Sequence, residues 1–227
     1  REPDFSPVPP GHEDLISEEL LLLAVARDQR RELQGQGDIK KGSYQAGLKS
    51  RFYQFKSPEP LIASSMGPAA QLEAKLSFDQ SLILSISHAR LQADRVNFQA
   101  GGDLNFKEMS MDLKGLVQAP SLAYLQKELD RDVSGELISE ITARGSFQEP
   151  ETLISTRLRD LQWSELVPLQ VFADMRTIFR QGLPRGDIQV LVSQKNKKLE
   201  LSSGFKLHQK IMSLNSLKGT GPGFNLS

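Results

Sequence analysis

Apolar and polar residues alternate along most of this chain, most cleanly between residues 72 and 115. Leu72, Ala74, Leu76 and Phe78 alternate with Glu73, Lys75, Ser77 and Asp79. After Gln80-Ser81 the pattern resumes with Leu82, Leu84 and Ile86. Val96, Phe98, Ala100, Gly102, Leu104 and Phe106 then face one way, while Asn97, Gln99, Gly101, Asp103, Asn105 and Lys107 face the other. Lys107-Glu108 reads as a turn, after which Met109, Met111 and Leu113 return. Side chains of a strand point to opposite faces with period two, so each segment has one dry face and one wet face. Turns this short join antiparallel neighbours. The pattern predicts an antiparallel meander.

Two further blocks obey the same rule. Val133, Gly135, Leu137, Ser139, Ile141, Ala143, Gly145 and Phe147 oppose Ser134, Glu136, Glu140, Thr142, Arg144 and Ser146. Glu149-Pro150-Glu151 reads as the turn and Leu153 to Leu158 as the return strand. Ile188, Val190 and Val192 lead through a polar turn, Gln194 to Lys197, into Leu199, Leu201, Ser203 and Phe205. Leu20 to Ala26, Leu33 to Ile39 and Gln45 to Phe55 read as earlier strands, although Ile16, Leu20, Leu23 and Arg27 also fit helical spacing.

Two helices are expected to interrupt the sheet. One covers 119–129, with Pro120-Ser121 at its start and Leu122, Leu125 and Leu129 on one face. The other covers 164–181, with Phe172, Met175 and Phe179 at i, i+3 and i+7 and a stop at Gly182 before Pro184. Residues 1–19 read as an extended or disordered lead-in and Pro58 to Pro68 as a loop. The abrupt ends, Arg1 and a closing strand-like Phe-Asn-Leu-Ser, read as cuts in a longer chain, so the sheet is expected to fill 20–227 and continue beyond. Gly-acidic-aliphatic recurs at Gly37, Gly102, Gly135 and Gly186, where a glycine inside a strand marks a bulge, a bend or a close backbone approach.

Composition narrows the chemistry. Among 227 residues, 28 Lys and Arg balance 28 Asp and Glu, so the basic surplus of a nucleic-acid binder is missing. With no cysteine, disulfides, thiol nucleophiles and thiolate metal sites are excluded. His12, His88 and His208 lie too far apart for a short-spaced metal motif. His88 reads as lying on the apolar side of its strand or marking the strand's end. No phosphate loop, Gly-x-Ser-x-Gly or His-Glu-x-x-His occurs, and Gly35-Gln36-Gly37 lacks the third glycine of a dinucleotide fingerprint. The carboxylates alternate with Lys and Arg on the wet faces of strands. An enzyme is therefore not expected, and neither a catalytic residue, a metal nor a cofactor is assigned. The longest apolar run, Leu20 to Ala26, is far shorter than the roughly 20 residues of a membrane helix.

What remains is the dry face. If two sheets closed on each other it would be a sandwich core, of the kind found in adhesion or carbohydrate-binding modules. If one sheet stayed open, it would be a long apolar groove. Periodicity accommodates both, because both bury one face of each strand.

The stretch from Val133 to Pro150, with Gly135, Gly145 and Pro150 in place, resembles a pattern of the AsmA-like superfamily, in particular its TamB-type members. There a Gly-x-Leu strand is followed by a second glycine, a proline and a return strand. The helix before it and the strands from Leu82 to Leu113 are similar too, and the likeness is best over residues 70–163. The resemblance implies a mainly β fold, one long curved antiparallel sheet (a β-taco) with an open apolar groove. It implies a parent protein anchored in the inner membrane and crossing the periplasm, which moves phospholipid toward the outer membrane or helps an outer-membrane β-barrel partner assemble proteins. Acyl chains would then lie on Leu76, Phe78, Leu84, Ile86, Val96, Phe98, Leu104, Phe106, Met109, Met111, Leu113, Leu137, Ile141 and Phe147.

Overall fold

A computed structural model describes residues 29–38, 42–53, 64–164, 168–180, 183–208, 211–222 and 224–226. The expected lead-in over 1–19, the strand at Leu20 to Ala26 and most of the loop at Pro58 to Pro68 lie outside the described residues.

The strands are β1 (Gln29–Asp38), β2 (Ser43–Tyr53), β3 (Ala69–Phe78), β4 (Ile83–Ala93), β5 (Asn97–Asn105), β6 (Ser110–Ala119), β7 (Val133–Ser146), β8 (Pro150–Trp163), β9 (Leu169–Arg180), β10 (Leu183–Gln194), β11 (Lys197–His208), β12 (Ile211–Gly221) and β13 (Phe224–Leu226). They form one 13-stranded antiparallel sheet in which spatial order follows chain order throughout. The first and last strands do not pair, so the sheet is open. Among the described residues no second sheet lies over it, so the closed sandwich does not form. Each inner strand bonds the strand before and the strand after it, which is the arrangement that short antiparallel connections favour.

Among the described residues there is one small core in the usual sense. Ala119, Leu122 and Val133 are buried together where β6 passes to β7, and Val96, Tyr124, Leu125, Leu129, Leu137, Leu158 and Leu161 pack around them. The connection that supplies Leu122 is the first expected helix, but helical only from Ala123. Ala119 ends β6, Pro120 can give the ladder no N–H, and a 3₁₀ turn (Ala123–Leu125) runs into a single α-turn, α1 (Gln126–Leu129). Asp130 closes it in the left-handed conformation at φ 50°. The N–H of Leu122 donates to the carbonyl of Gly135 at 2.8 Å, tying this segment to β7.

The second expected helix, over 164–181, is not there. Leu169–Arg180 is strand β9, paired along its length with β8 and β10. Phe172, Met175 and Phe179 do sit at helical spacing. A period of two also runs through the segment, with Leu169, Val171, Ala173, Met175, Thr177 and Phe179 on one face. Phe172 therefore belongs to the opposite face from Met175 and Phe179. A β-rich segment between two strands gains two ladders as a strand, whereas a helix would leave both neighbours with unpaired edges.

Strand boundaries also move. Pro150 opens β8 instead of sitting inside the turn, and β8 runs on to Trp163, past the expected end at Leu158. In β4 a bulge inserts Ser87. Leu76 pairs Ile86, but Lys75 pairs His88. The extra residue turns His88 onto the wet face opposite Lys75, where it is exposed, so it neither joins the apolar side nor ends the strand. The recurrent Gly102 is a close backbone approach, with φ 133°, where an added Cβ would collide with the Asp112 carbonyl.

Candidate functional site

Because the strands pair in register, residues of the apolar face line up in rows that cross the sheet. A first row runs Tyr44, Phe78, Leu84, Leu104, Met111 along the ends of β2 to β6. A second runs Ala46, Leu76, Ile86, Gly102, Leu113 and continues as Ala143, Thr152, Thr177, Gly186. A third runs Leu48, Ala74, Ala89, Ala100, Gly115, then Ile141, Ile154, Met175, Ile188. A fourth runs Ser50, Leu72, Leu91, Phe98, Val117, then Ser139, Thr156, Ala173, Val190. These four rows contain no charged side chain.

Most of the large side chains on this face are half-buried. Among the described residues no large side chain is fully buried, and the buried positions of this face are mostly small residues such as Ala70, Ala74, Ser50, Ser139 and Thr177, with Phe205 on β11 the large exception at 7 % exposed. Among the described residues no layer covers the face, which is shielded by its own side chains.

Of the fourteen residues nominated from sequence, Leu76, Phe78, Leu84, Ile86, Phe98, Leu104, Met111, Leu113, Leu137 and Ile141 lie within strands on this face. Val96 precedes β5 and packs against the small core. The other three sit at hairpin ends. Phe106 follows β5 and is exposed, and its ring meets Phe78 at 6.4 Å and Phe147 at 5.9 Å between centroids. These three phenylalanines mark the same end of β3, β5 and β7, forming an aromatic rim. Met109 is 51 % exposed, in the turn before β6 with φ 51°, so it stands at the rim and not on the face.

Sequence reasoning missed Ala89 and Leu91, because the bulge at Ser87 inverts the phase of β4. It missed Val171 and Met175 because β9 was read as a helix. The signal for the latter pair was the unbroken alternation from Leu169 to Phe179.

The opposite rim is closed over part of its length. Arg95 Nη1 donates to the Ser64 carbonyl at 2.6 Å, and its guanidinium lies 5.7 Å from the centre of the Tyr124 ring. Ser64 Oγ donates to Glu128 Oε1 at 2.6 Å. The helical turn at 64–66 and the segment around α1 are therefore clasped across the tight β4–β5 turn.

The wet face distributes its charges as cross-strand ladders. Lys49, Glu73 and Arg90 stand directly opposite one another on β2, β3 and β4. Asp112, Arg144 and Glu151 do so on β6, β7 and β8, with Arg144 Nε 3.0 Å from Asp112 Oδ1 and Arg176 bonded to Glu151. A cavity of about 610 Å³ opens on this face over β9 to β12, with Phe172, Asp174, Gln189, Leu191, Glu200 and Lys218 among its lining. Among the described residues no group of three or more His, Asp or Glu could hold a metal ion. No helix among them is long and apolar enough to cross a membrane. Comparison of the chain with protein-family models, with curated proteins and with solved structures finds no match.

Proposed function

We propose that this chain is a segment of a conduit that carries phospholipid acyl chains along its apolar face. In this reading it lies in the periplasm, within a parent protein anchored in the inner membrane and working toward the outer membrane. The observation that carries the reading is the apolar face, uncovered among the described residues, with uncharged rows running from strand to strand across an open sheet. Such a surface offers a hydrocarbon chain what it needs, removal from water without any demand for hydrogen bonds. Full burial of a methylene is worth roughly 0.8 kcal/mol, and a chain resting on one face realises part of that. Head groups stay in water beyond the rims. The residues act by apolar contact alone, without catalysis, cofactor or metal. The resemblance to TamB-type proteins supplies the compartment and the lipid class.

The test places Asp at Phe98 and, separately, at Leu104. Both positions face outward from a single sheet, so each variant is expected to stay folded and soluble while losing lipid that co-purifies with the unaltered protein, read by native mass spectrometry. Absence of lipid from the unaltered protein, together with unfolding of both variants, would overturn the proposal.

A further inference from the structure

The third row of the apolar face changes character along its length. Ala74, Ala89 and Ala100 form a low floor on β3, β4 and β5, flanked by Leu76 and Ile86 on one side and Leu72 and Leu91 on the other. The floor is closed at both ends. Leu48 ends it on β2. On β6 the Phe98 ring lies against Gly115, close enough that an added Cβ would stand 3.4 Å from it, and Ile141 stands behind on β7. From Leu48 to Gly115 is four strand spacings, about 19 Å. Beside Leu48, on the same face, Ser50 is 4 % exposed and its Oγ has no hydrogen-bond partner. A buried hydroxyl without a partner costs stability unless something supplies one.

We infer that this trough is a seat of limited length for one acyl chain of a phospholipid, entered with its ester at Ser50 and its methyl end at Phe98. This rests on the acyl-chain reading above and gives it a fixed station. The walls carry no charge and the floor offers no hydrogen-bonding group, so a peptide backbone, which must pair its N–H and C=O groups, finds no partners there. An unbranched aliphatic chain needs none. Its ester carbonyl accepts the O–H of Ser50, the one buried hydroxyl without a partner among the described residues. The Phe98 ring sets the longest chain that fits.

The probes are dilauroyl, dipalmitoyl and diarachidoyl phosphatidylglycerol, with binding measured by native mass spectrometry and titration calorimetry on the whole chain. The unaltered protein is expected to hold the shorter lipids and discriminate against the diarachidoyl one. Phe98→Ala is expected to remove that discrimination. Ala100→Phe, which fills the floor, is expected to weaken binding at least tenfold. Ala173→Phe, the same change on the same face but on β9, outside the trough, is expected to weaken binding less than threefold. Ser50→Ala is expected to weaken binding about three- to tenfold, the range of one hydrogen bond. If lipid binds but Ala100→Phe and Ala173→Phe weaken it alike, or Phe98→Ala leaves the length preference intact, the seat is wrong and the conduit reading survives. If the unaltered protein binds none of the three lipids, the conduit reading itself falls. Should Ala100→Phe fail to fold by circular dichroism, Phe98→Ala and Ser50→Ala decide the matter.

Discussion

Between β2 and β6 the apolar face is a low alanine floor between tall rows of Leu, Ile and Phe. Between β7 and β10 the relief inverts. Ile141, Ile154, Met175 and Ile188 form a central ridge, and the rows beside it shrink to Ala143, Thr152 and Thr177 on one side and Ser139, Thr156 and Ala173 on the other. Strand pairing, register and facing are continuous across the boundary, so the backbone is not the source of the difference. A sheet specifies where side chains stand in rows, and only the size of each side chain decides whether a row is a wall or a channel. The halves also differ in how they satisfy polar atoms. In the second, Ser139 Oγ and Thr156 Oγ1 lie 2.9 Å apart and satisfy each other, whereas Ser50 in the first has no partner.

The two halves meet at β6 and β7, beside the small core, and the largest effect is expected there. Leu122 is 4 % exposed and packs against Ala119 and Val133. Leu122→Asp places an unpaired charge in the only cluster of this kind among the described residues. It is expected to cost about 3–5 kcal/mol, the scale of an uncompensated buried charge, and to lower the midpoint of chemical denaturation sharply. A loss below about 1 kcal/mol would mean that the two halves hold together without this core.

Next in size is the first half's bend. Gly102→Ala must force a side chain into φ 133° against the Asp112 carbonyl, and it is expected to destabilise by about 2–3 kcal/mol. Gly115→Ala, on the neighbouring strand, meets the edge of the Phe98 ring at 3.4 Å and the Gln99 carbonyl at 3.6 Å, ordinary to slightly tight distances. Its cost is expected below about 1 kcal/mol, since the ring is free to shift. Equal losses from the two substitutions, measured by thermal unfolding, would remove the special status of the Gly102 approach.

These contrasts were legible in the residues to different degrees. From Leu72 to Leu113 the alternation is strict enough that the strands, the antiparallel pairing and the dry face follow from it directly. The open sheet did not follow, because burying one face of each strand looks the same in a sandwich and in a single layer. Side-chain placement failed where one inserted residue shifts the phase. Ser87 hides Ala89 and Leu91 and carries His88 to the wet face, and a bulge leaves no mark in hydrophobicity until the partner strand is known. β9 failed for another reason. Phe172, Met175 and Phe179 satisfy a helical template while Leu169, Val171, Ala173, Met175 and Thr177 satisfy a strand template, and only the neighbours β8 and β10 decide between them. The trough needed cross-strand registration, which relates Ala74 to Ala89, Ala100 and Gly115 across four separate segments.

The second half's hydroxyl pair provides a smaller test. Ser139→Ala leaves Thr156 Oγ1 without its partner on a shaded face, and is expected to cost about 1 kcal/mol. Replacing both, Ser139→Ala with Thr156→Val, removes the need and the partner together, so the double variant is expected to be less destabilised than the single one. This also makes the fourth row of the second half resemble that of the first. A double variant that loses the sum of the two single losses would show that the hydroxyls act independently and that the pair at 2.9 Å contributes nothing as a pair.

Smallest of all should be the charge ladders of the wet face, despite their regularity. The Arg144 and Asp112 side chains are 54 % and 58 % exposed, so water and salt screen them and ordering two long side chains offsets much of the attraction. Arg144 stands in register between Asp112 and Glu151 but is bonded to Asp112, while Glu151 is bonded to Arg176. Arg144→Met keeps most of the aliphatic stem, which continues to cover the sheet, and deletes only the charge. The loss is expected below about 1 kcal/mol at low salt, shrinking further as salt is raised, with no change in lipid binding because the residue faces away from the apolar rows. A large, salt-insensitive loss would mean that the ladder holds the strands together, and that the balance of 28 basic and 28 acidic residues is structural and not merely the way a long open sheet keeps one face wet.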